Sequence, residues 1–213
     1  MKYIQKKASP QSLEQYKQEG GTEFKSLPSN VKKDIKESLL TEQGCLCCYC
    51  GDRITFATSN IEHFKPKDSK LFPHLQLEYS NLLSSCLGGQ IERQENHGYP
   101  LSCDARKRNK IIPLSPTDPS CESQFEYDLD GGIKGKTSDA QRTIDELNLN
   151  NQVIKHRRKA AIDYVLTLNI KTKKEWDNEI IHLSQRTSEG KYLPYCFAVI
   201  YCIKQYYMPM AVI

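Results

Sequence analysis

The fold of this chain is set by the stretch Gly44-Cys45-Leu46-Cys47-Cys48-Tyr49-Cys50-Gly51. It contains two overlapping C-x-x-C motifs, Cys45 with Cys48 and Cys47 with Cys50. Two cysteines at this spacing form one half of many tetrahedral zinc sites. Gly51 favours the second motif, because a glycine directly after the second thiolate lets the turn fold back with its amides toward sulfur. The choice between the two registers stays open on the sequence alone.

A tetrahedral site needs two more ligands, and the natural candidates are Cys86 and Cys103, each of which flanks a segment that zinc would tie to the first pair. A redox pair is the alternative for C-x-x-C, but no thioredoxin-like βαβ pattern surrounds the motif. We therefore predict a structural zinc site formed by Cys47, Cys50, Cys86 and Cys103.

The composition says more about the cellular compartment of the protein than about its function. The chain has 213 residues and a net charge of +4, which favours a polyanionic partner only mildly. Its first residues contain no apolar stretch after their positive charges, so we expect a cytoplasmic protein with no membrane span. In that reducing setting, nine cysteines indicate metal binding rather than disulfides. Three of them are predicted to be buried free thiols: Cys121, Cys196 and Cys202.

The periodicity of apolar residues predicts an α+β fold. A helix is expected from Ser29 to Gly44, strand-like segments at 53–56 and 61–64, and a short helix at about 103–109, which together resemble a small ββα unit. A hairpin turns at Asp130-Gly131-Gly132, and helices follow from Ser138 onward. We predict three regions: an N-terminal arm and helix (1–40), a core with the zinc site (41–115), and a hairpin with a C-terminal helical region (116–213).

Three short motifs lie within this cysteine frame. Glu62-His63 ends an apolar run, Asn81 precedes Cys86, and Asp104 follows Cys103. Together they resemble the HNH endonuclease family, in which an acid precedes the first histidine, an asparagine comes before a zinc cysteine, and a histidine or asparagine stands beside the last one. The chain departs from that pattern at Asp104 and in the sixteen residues between Cys86 and Cys103.

Within that family the chain is most similar to the PtuB-type HNH effectors of Septu and retron anti-phage systems. They share a Cys-Leu-Gly-Gly-like segment, a spacer and a Cys-Asp-Ala-x-Lys-like segment. The resemblance implies a ββα-metal core with a four-cysteine zinc knuckle and endonuclease activity. It also implies a role in antiviral defence and a partner ATPase of the PtuA type.

The residue types suit phosphodiester hydrolysis of DNA or RNA. His63 has an ordinary pKa near neutrality and is the predicted general base. Glu62 and Asp104 are the predicted ligands of a catalytic Mg²⁺ or Mn²⁺ ion. Because neighbouring residues of a strand point to opposite faces, Glu62 and His63 serve one reaction only if the chain bends or bulges there. Asn81 is expected to hydrogen-bond backbone near His63.

Basic residues supply candidates for substrate binding. Lys107 lies in the predicted short helix after Cys103, and Arg157 and Arg158 belong to the basic run 155–159. A solvated charged face is the alternative for that run. For the whole protein, the alternative to a nuclease is a non-catalytic zinc-finger module that binds nucleic acid or protein, for which the cysteines suffice.

Overall fold

A computed structural model describes residues 1–67 and 71–211 of the chain. Short helices and two small antiparallel sheets give a mixed α+β architecture. The α-helices and strands, in chain order, are α1 Gln11–Gln18, α2 Ser29–Glu42, β1 Ser59–His63, β2 Leu82–Cys86, α3 Glu92–Glu95, α4 Cys103–Lys107, β3 Phe125–Tyr127, β4 Ile133–Gly135, α5 Ser138–Leu147, α6 Gln152–Asp163, α7 Lys173–Ser184 and α8 Cys196–Cys202. Single 3₁₀ turns lie at Phe24–Ser26, Pro73–Leu75, Tyr79–Asn81, Cys121–Gln124, Tyr164–Thr167 and Met208–Met210, and a π-helical turn lies at Ile203–Tyr207.

The central hairpin pairs β1 with β2, in a register that sets Glu62 opposite Leu83 and His63 opposite Leu82. The predicted strand at 61–64 is therefore confirmed, with its bounds at 59–63. The predicted strand at 53–56 is wrong. There, Arg53 makes only an isolated bridge to Leu46, and the backbone amide of Thr55 donates to the hydroxyl of Thr58. Such local side-chain bonds favour a turn over an extended strand.

Helix α2 leads into the cysteines as the sequence predicts. Val31, Ile35 and Leu39 are all buried, since residues four apart lie on one helical face. The helix ends at Glu42, and Gly44 adopts a φ of +59°. The side chain of Gln43 then donates to Ser84 O at 2.8 Å and accepts from Ser84 N at 2.7 Å. These two bonds fix the end of the helix to β2.

The hairpin β3–β4 and the later helices also agree with the sequence prediction. They share one buried cluster with the cysteines of the turn, whereas the apolar face of α2 packs with α1 and Leu82 in a second cluster. A Cβ atom on Gly51 would overlap the ring of Phe197, so the cysteine turn packs directly on α8. Trp176 of α7 is 5% exposed and packs against Tyr207, with ring centroids 5.6 Å apart.

Across the described ranges, no helix combines the length and the apolarity that crossing a membrane requires.

Candidate metal centre and active site

Four cysteine sulfurs converge between the turn at 47–50, the end of β2 and the start of α4. The ligand atoms of Cys47, Cys50, Cys86 and Cys103 all lie within 4.8 Å of one another. A tetrahedral zinc site with bonds of about 2.3 Å separates its sulfurs by roughly 3.8 Å. The sulfurs of Cys50 and Cys86 are 3.9 Å apart, which fits that geometry. This group can therefore hold a zinc ion.

The backbone around the first pair of cysteines explains why the second register is the one that converges. Gly51 adopts a φ of +79°, and its amide donates to Cys47 O at 3.1 Å, which closes the turn. The amide of Cys86 donates to the sulfur of Cys47 at 3.3 Å. Cys45 and Cys48 lie outside the cluster, Cys45 half-buried and Cys48 buried.

Proximity of the thiols changes their acidity. Burial raises the pKa of Cys47, but hydrogen bonds from the neighbouring thiols, that of Cys103 first, bring it well below its ordinary value. The pKa of Cys103 is raised well above the ordinary value by its contacts with the other three sulfurs, Cys47 first, and by burial. A divalent cation replaces the thiol protons when it binds. The thiols predicted to be buried at 121, 196 and 202 do lie in the core.

Glu62 is buried directly beside this cluster. Its Oε1 atom accepts from the Tyr49 hydroxyl at 2.8 Å and lies 2.7 Å from Lys107 Nζ. The Asp104 carboxyl is within hydrogen-bonding reach of the Glu62 side chain. Burial first, and then the contact with Asp104, raises the pKa of Glu62 to about 8, although Lys107 acts in the opposite direction. Two carboxyl groups this close suit a hard cation such as Mg²⁺.

His63 is oriented by the loop that follows β1. Its Nε2 atom lies 3.0 Å from Gln76 O, and because a carbonyl can only accept, Nε2 carries the proton. The Phe24 ring packs edge-on against the imidazole at a centroid distance of 4.5 Å. Burial lowers the pKa of His63 to about 4, which keeps the ring neutral at neutral pH. Nδ1 therefore presents a lone pair.

The strand pairing does not contain the bulge that would turn Glu62 and His63 to one side. The register continues regularly to His63, and the two side chains have separate sets of contacts. Lys107 links them, because its Nζ atom touches the Glu62 side chain and donates to His63 O at 2.9 Å. Glu62 and Asp104 therefore come together directly, whereas His63 is joined to them only through its backbone. The bulge that the sequence analysis requires for a shared reaction is not present in the pairing of β1.

Asn81 makes the backbone contacts predicted for it. Its Oδ1 atom accepts from Lys65 N at 2.7 Å, and its Nδ2 atom donates to Lys65 O at 3.0 Å and to Leu75 O at 3.1 Å. The side chain thus holds together the two ends of the loop next to His63. The loop residues 68–70 lie outside the described ranges.

We expect Asn81→Ala to destabilise this loop, because three hydrogen bonds of a buried side chain are lost. A net cost of about 1–3 kcal/mol in the free energy of unfolding follows from typical values for such bonds. Urea denaturation measures it, with Asn60→Ala as the control, since no hydrogen bond of the Asn60 side chain is found in the described parts of the chain. Equal unfolding midpoints for the two variants would contradict the role given to Asn81.

Two predicted substrate contacts need correction. Lys107 is fully buried and bonded to Glu62 and His63, so it is not free to meet a phosphate. Arg158 is 1% exposed and donates to Gly131 O at 2.6 Å and to Leu149 O at 3.0 Å. It ties the β3–β4 turn to α6 instead of joining a solvated basic run. Arg157 is half-exposed and pairs with Asp52 at 2.6 Å.

Tyr49 and Gln76 belong to the site although the sequence analysis does not identify them. Tyr49 lies inside the cysteine turn, where its hydroxyl reaches Glu62, and Gln76 contributes only its carbonyl oxygen to His63. Because every residue has a backbone carbonyl, the residue type at position 76 gives no indication of this contact. The tyrosine could be inferred only from its place between two cysteines.

The fold and this site define an α+β protein with a four-cysteine cluster that can hold a metal ion. No family model matches the chain. The "Retron Vc95 putative HNH endonuclease" of Vibrio cholerae is 33% identical over 171 residues, which cover 76% of this chain and 80% of that protein. The "Retron Ec83 putative HNH endonuclease" of Escherichia coli is 31% identical, with 76% and 79% covered. The chain belongs to this family of retron HNH endonucleases.

A third similarity is weaker. The Septu protein PtuA of Bacillus mycoides is 24% identical over 132 residues, which cover 53% of this chain and 18% of that protein. Only a segment of PtuA therefore resembles the chain. The named relatives connect the chain with the retron and Septu systems that its motifs predict.

Proposed function

We propose that the chain is a metal-dependent HNH endonuclease that hydrolyses phosphodiester bonds in nucleic acid. The observation that carries the proposal is the convergence of Glu62 and Asp104, with Asp104 directly after the cluster cysteine Cys103 and Glu62 bonded to Tyr49 of the cysteine turn. A role for His63 in the same reaction requires a bend at the end of β1. Family membership supports the same reaction class. The cysteines alone would serve a binding module, but a binding module has no use for paired buried carboxyls.

In this proposal each residue has a separate task. His63 takes a proton from water at Nδ1, while its Nε2–H bond to Gln76 O fixes the ring. Glu62 and Asp104 hold Mg²⁺ or Mn²⁺, which would supply positive charge to the phosphate oxygens when bound. Lys107 balances the two carboxyls and fixes the backbone at His63. Asn81 positions the loop.

Zinc has a structural role in the proposal. The four sulfurs join the turn at 47–50 to β2 and α4, and Asn81 directly precedes β2 while Asp104 lies in α4. A fully thiolate-coordinated zinc leaves no open position for substrate, as is typical of structural sites.

We further propose a role in bacterial anti-phage defence with a PtuA-type ATPase as partner. The retron names of two relatives and the likeness to a segment of PtuA support this role. An effector that cuts nucleic acid inside its own cell also requires restraint, and a partner can provide it.

Cleavage of plasmid DNA and total RNA in Mg²⁺ or Mn²⁺ tests the proposal. We expect cutting by the wild type, loss of cutting with EDTA, and loss in Asp104→Ala, because the alanine supplies no oxygen to the metal. The control is Asp177→Ala, the same change at an exposed position on α7. If the wild type is silent alone but cuts with the ATPase, the partner role is supported as well. Silence under both conditions would leave the non-catalytic zinc module as the better interpretation.

A further inference from the structure

The sixteen residues between Cys86 and Cys103 form a closed loop, which we call the insert loop (87–102). Its base is closed by a bond from Ser102 N to Gly88 O at 3.0 Å. A Cβ atom on Gly88 would overlap Ser102 O, so the two ends approach as closely as a glycine permits. Helix α3 lies within the loop, and Arg93 on it donates to Tyr99 O at 3.1 Å. The insert loop therefore has a fixed conformation, held by hydrogen bonds at its base and within it.

A groove runs between the insert loop and α4. One part, of about 550 Å³, is lined by Arg93 and His97 on the loop side and by Asp104 and Arg108 on the other. A second part, of about 380 Å³, shares Arg93 and Arg108 with the first and continues past Lys110. The two parts have four lining residues in common, so they are adjacent, and we call them together the groove. It begins at Asp104, one of the two carboxyls of the proposed catalytic site.

The lining of the groove is strongly basic. Its two parts contain Arg93, Arg106, Arg108 and Lys110, and Asp104 is the single acid among the described residues that line them. Lys110 pairs with Glu146, whereas the side chains of Arg106 and Arg108 have no hydrogen bond or ion pair within the described ranges. Unpaired guanidinium groups around a concave surface are suited to phosphate oxygens.

We infer that this groove binds the sugar-phosphate backbone of nucleic acid beside the scissile phosphate. Its main phosphate contacts are Arg108, which is unpaired, and Arg93, which uses one N–H on Tyr99 O; these are the two arginines that line both parts of the groove. The inference rests on the proposed function, because it places the substrate next to Asp104. It assigns substrate binding to a surface different from the basic run 155–159, in which Arg158 is buried. Backbone contacts of this kind position a strand without reading its sequence.

Binding can be tested apart from cutting. The probe is a fluorescent 20-nucleotide DNA or RNA, single- or double-stranded, titrated with the zinc-loaded His63→Ala protein at several salt concentrations. In that background, Arg93→Glu with Arg108→Glu should make the negative slope of log affinity against log salt shallower by about 2, one for each lost phosphate contact. For proteins that bind equally at 1 M salt, this corresponds to about 100-fold weaker binding at 0.1 M.

The control is Lys173→Glu with Lys174→Glu, which makes the same charge change at exposed positions of α7. Zinc content and the thermal midpoint establish that each variant is folded. Equal binding and equal salt slopes in the groove and control variants would overturn the inference and leave the groove as a surface for an acidic protein. Absence of binding by the His63→Ala protein itself would also overturn it. Binding through the groove, with no cutting by the wild type either alone or with the ATPase, would instead reject the proposed nuclease function alone.

Discussion

Cys103→Ser should abolish zinc binding and prevent stable folding of the chain. A serine hydroxyl stays protonated at neutral pH and is a poor zinc ligand, so three sulfurs would remain from the cluster. Structural zinc sites contribute an apparent binding free energy of about 10–16 kcal/mol in small domains. That value matches or exceeds the total stability of a typical domain, about 5–15 kcal/mol. Loss of a large part of it leaves too little to hold the turn, β2 and α4 together.

The measurements are zinc content after dialysis against a mild chelator and the thermal unfolding curve. Cys45→Ser is the matched control, because Cys45 belongs to the competing C-x-x-C register and lies outside the cluster. It should keep about one zinc ion per chain, as expected for a single tetrahedral site. Retention of zinc by Cys103→Ser, or its loss in Cys45→Ser, would reject the assigned ligand set. Chelation of the wild type should reproduce the effect of Cys103→Ser.

His63→Ala should remove cleavage while the fold and zinc remain. General bases of this type contribute roughly 10²- to 10⁴-fold to rate, so we expect a loss in that range in the single-turnover rate. The imidazole is 5% exposed and contacts Phe24, so the truncation also leaves a small cavity. His63→Gln addresses that problem, because its amide can donate to Gln76 O but cannot take a proton from water.

Both variants are compared with His182→Ala, which removes an exposed imidazole from α7. The three proteins should have the same zinc content, and only the two substitutions at 63 should lose activity. Cleavage by His63→Gln at the wild-type rate would exclude His63 as the base. Loss of zinc in both variants at 63 would show instead that the ring supports the fold.

The parts of the site that can be predicted from the sequence are those in which residue type and spacing carry the information. Two cysteines at the turn and two at later positions suffice to predict the cluster. Gly51 favours the C-x-x-C register whose sulfurs converge. Asn81 is recognisable through its place before Cys86. Helix α2 follows from the spacing of three apolar residues. In each case the prediction rests on residues close together in the chain, or on a residue type, such as clustered cysteine, that has few other roles.

The parts of the structure that the sequence does not predict depend on contacts with backbone groups far away in the chain. Strand β2 reads Leu-Leu-Ser-Ser-Cys, which has no alternation, and it is a strand because it pairs with β1, earlier in the chain. Arg158 looks like part of a solvated run, yet its partners are the carbonyl oxygens of Gly131 and Leu149. The assignment of Lys107 to phosphate is wrong because it treats a lysine in a short helix as exposed. In its buried position its Nζ atom has two partners, the Glu62 side chain and His63 O.

The packing of Trp176 against Tyr207 gives the protein an intrinsic optical reporter. It is the only tryptophan of the chain, so emission excited at the indole band comes from one position, in the C-terminal helices. Because those helices share a core with the cysteine turn through Phe197 and Gly51, stripping the metal should alter that emission from a distance. Fluorescence and zinc release can then be followed in one cuvette. Coincident traces would mean that the cysteine turn and the C-terminal helices unfold as a single cooperative unit.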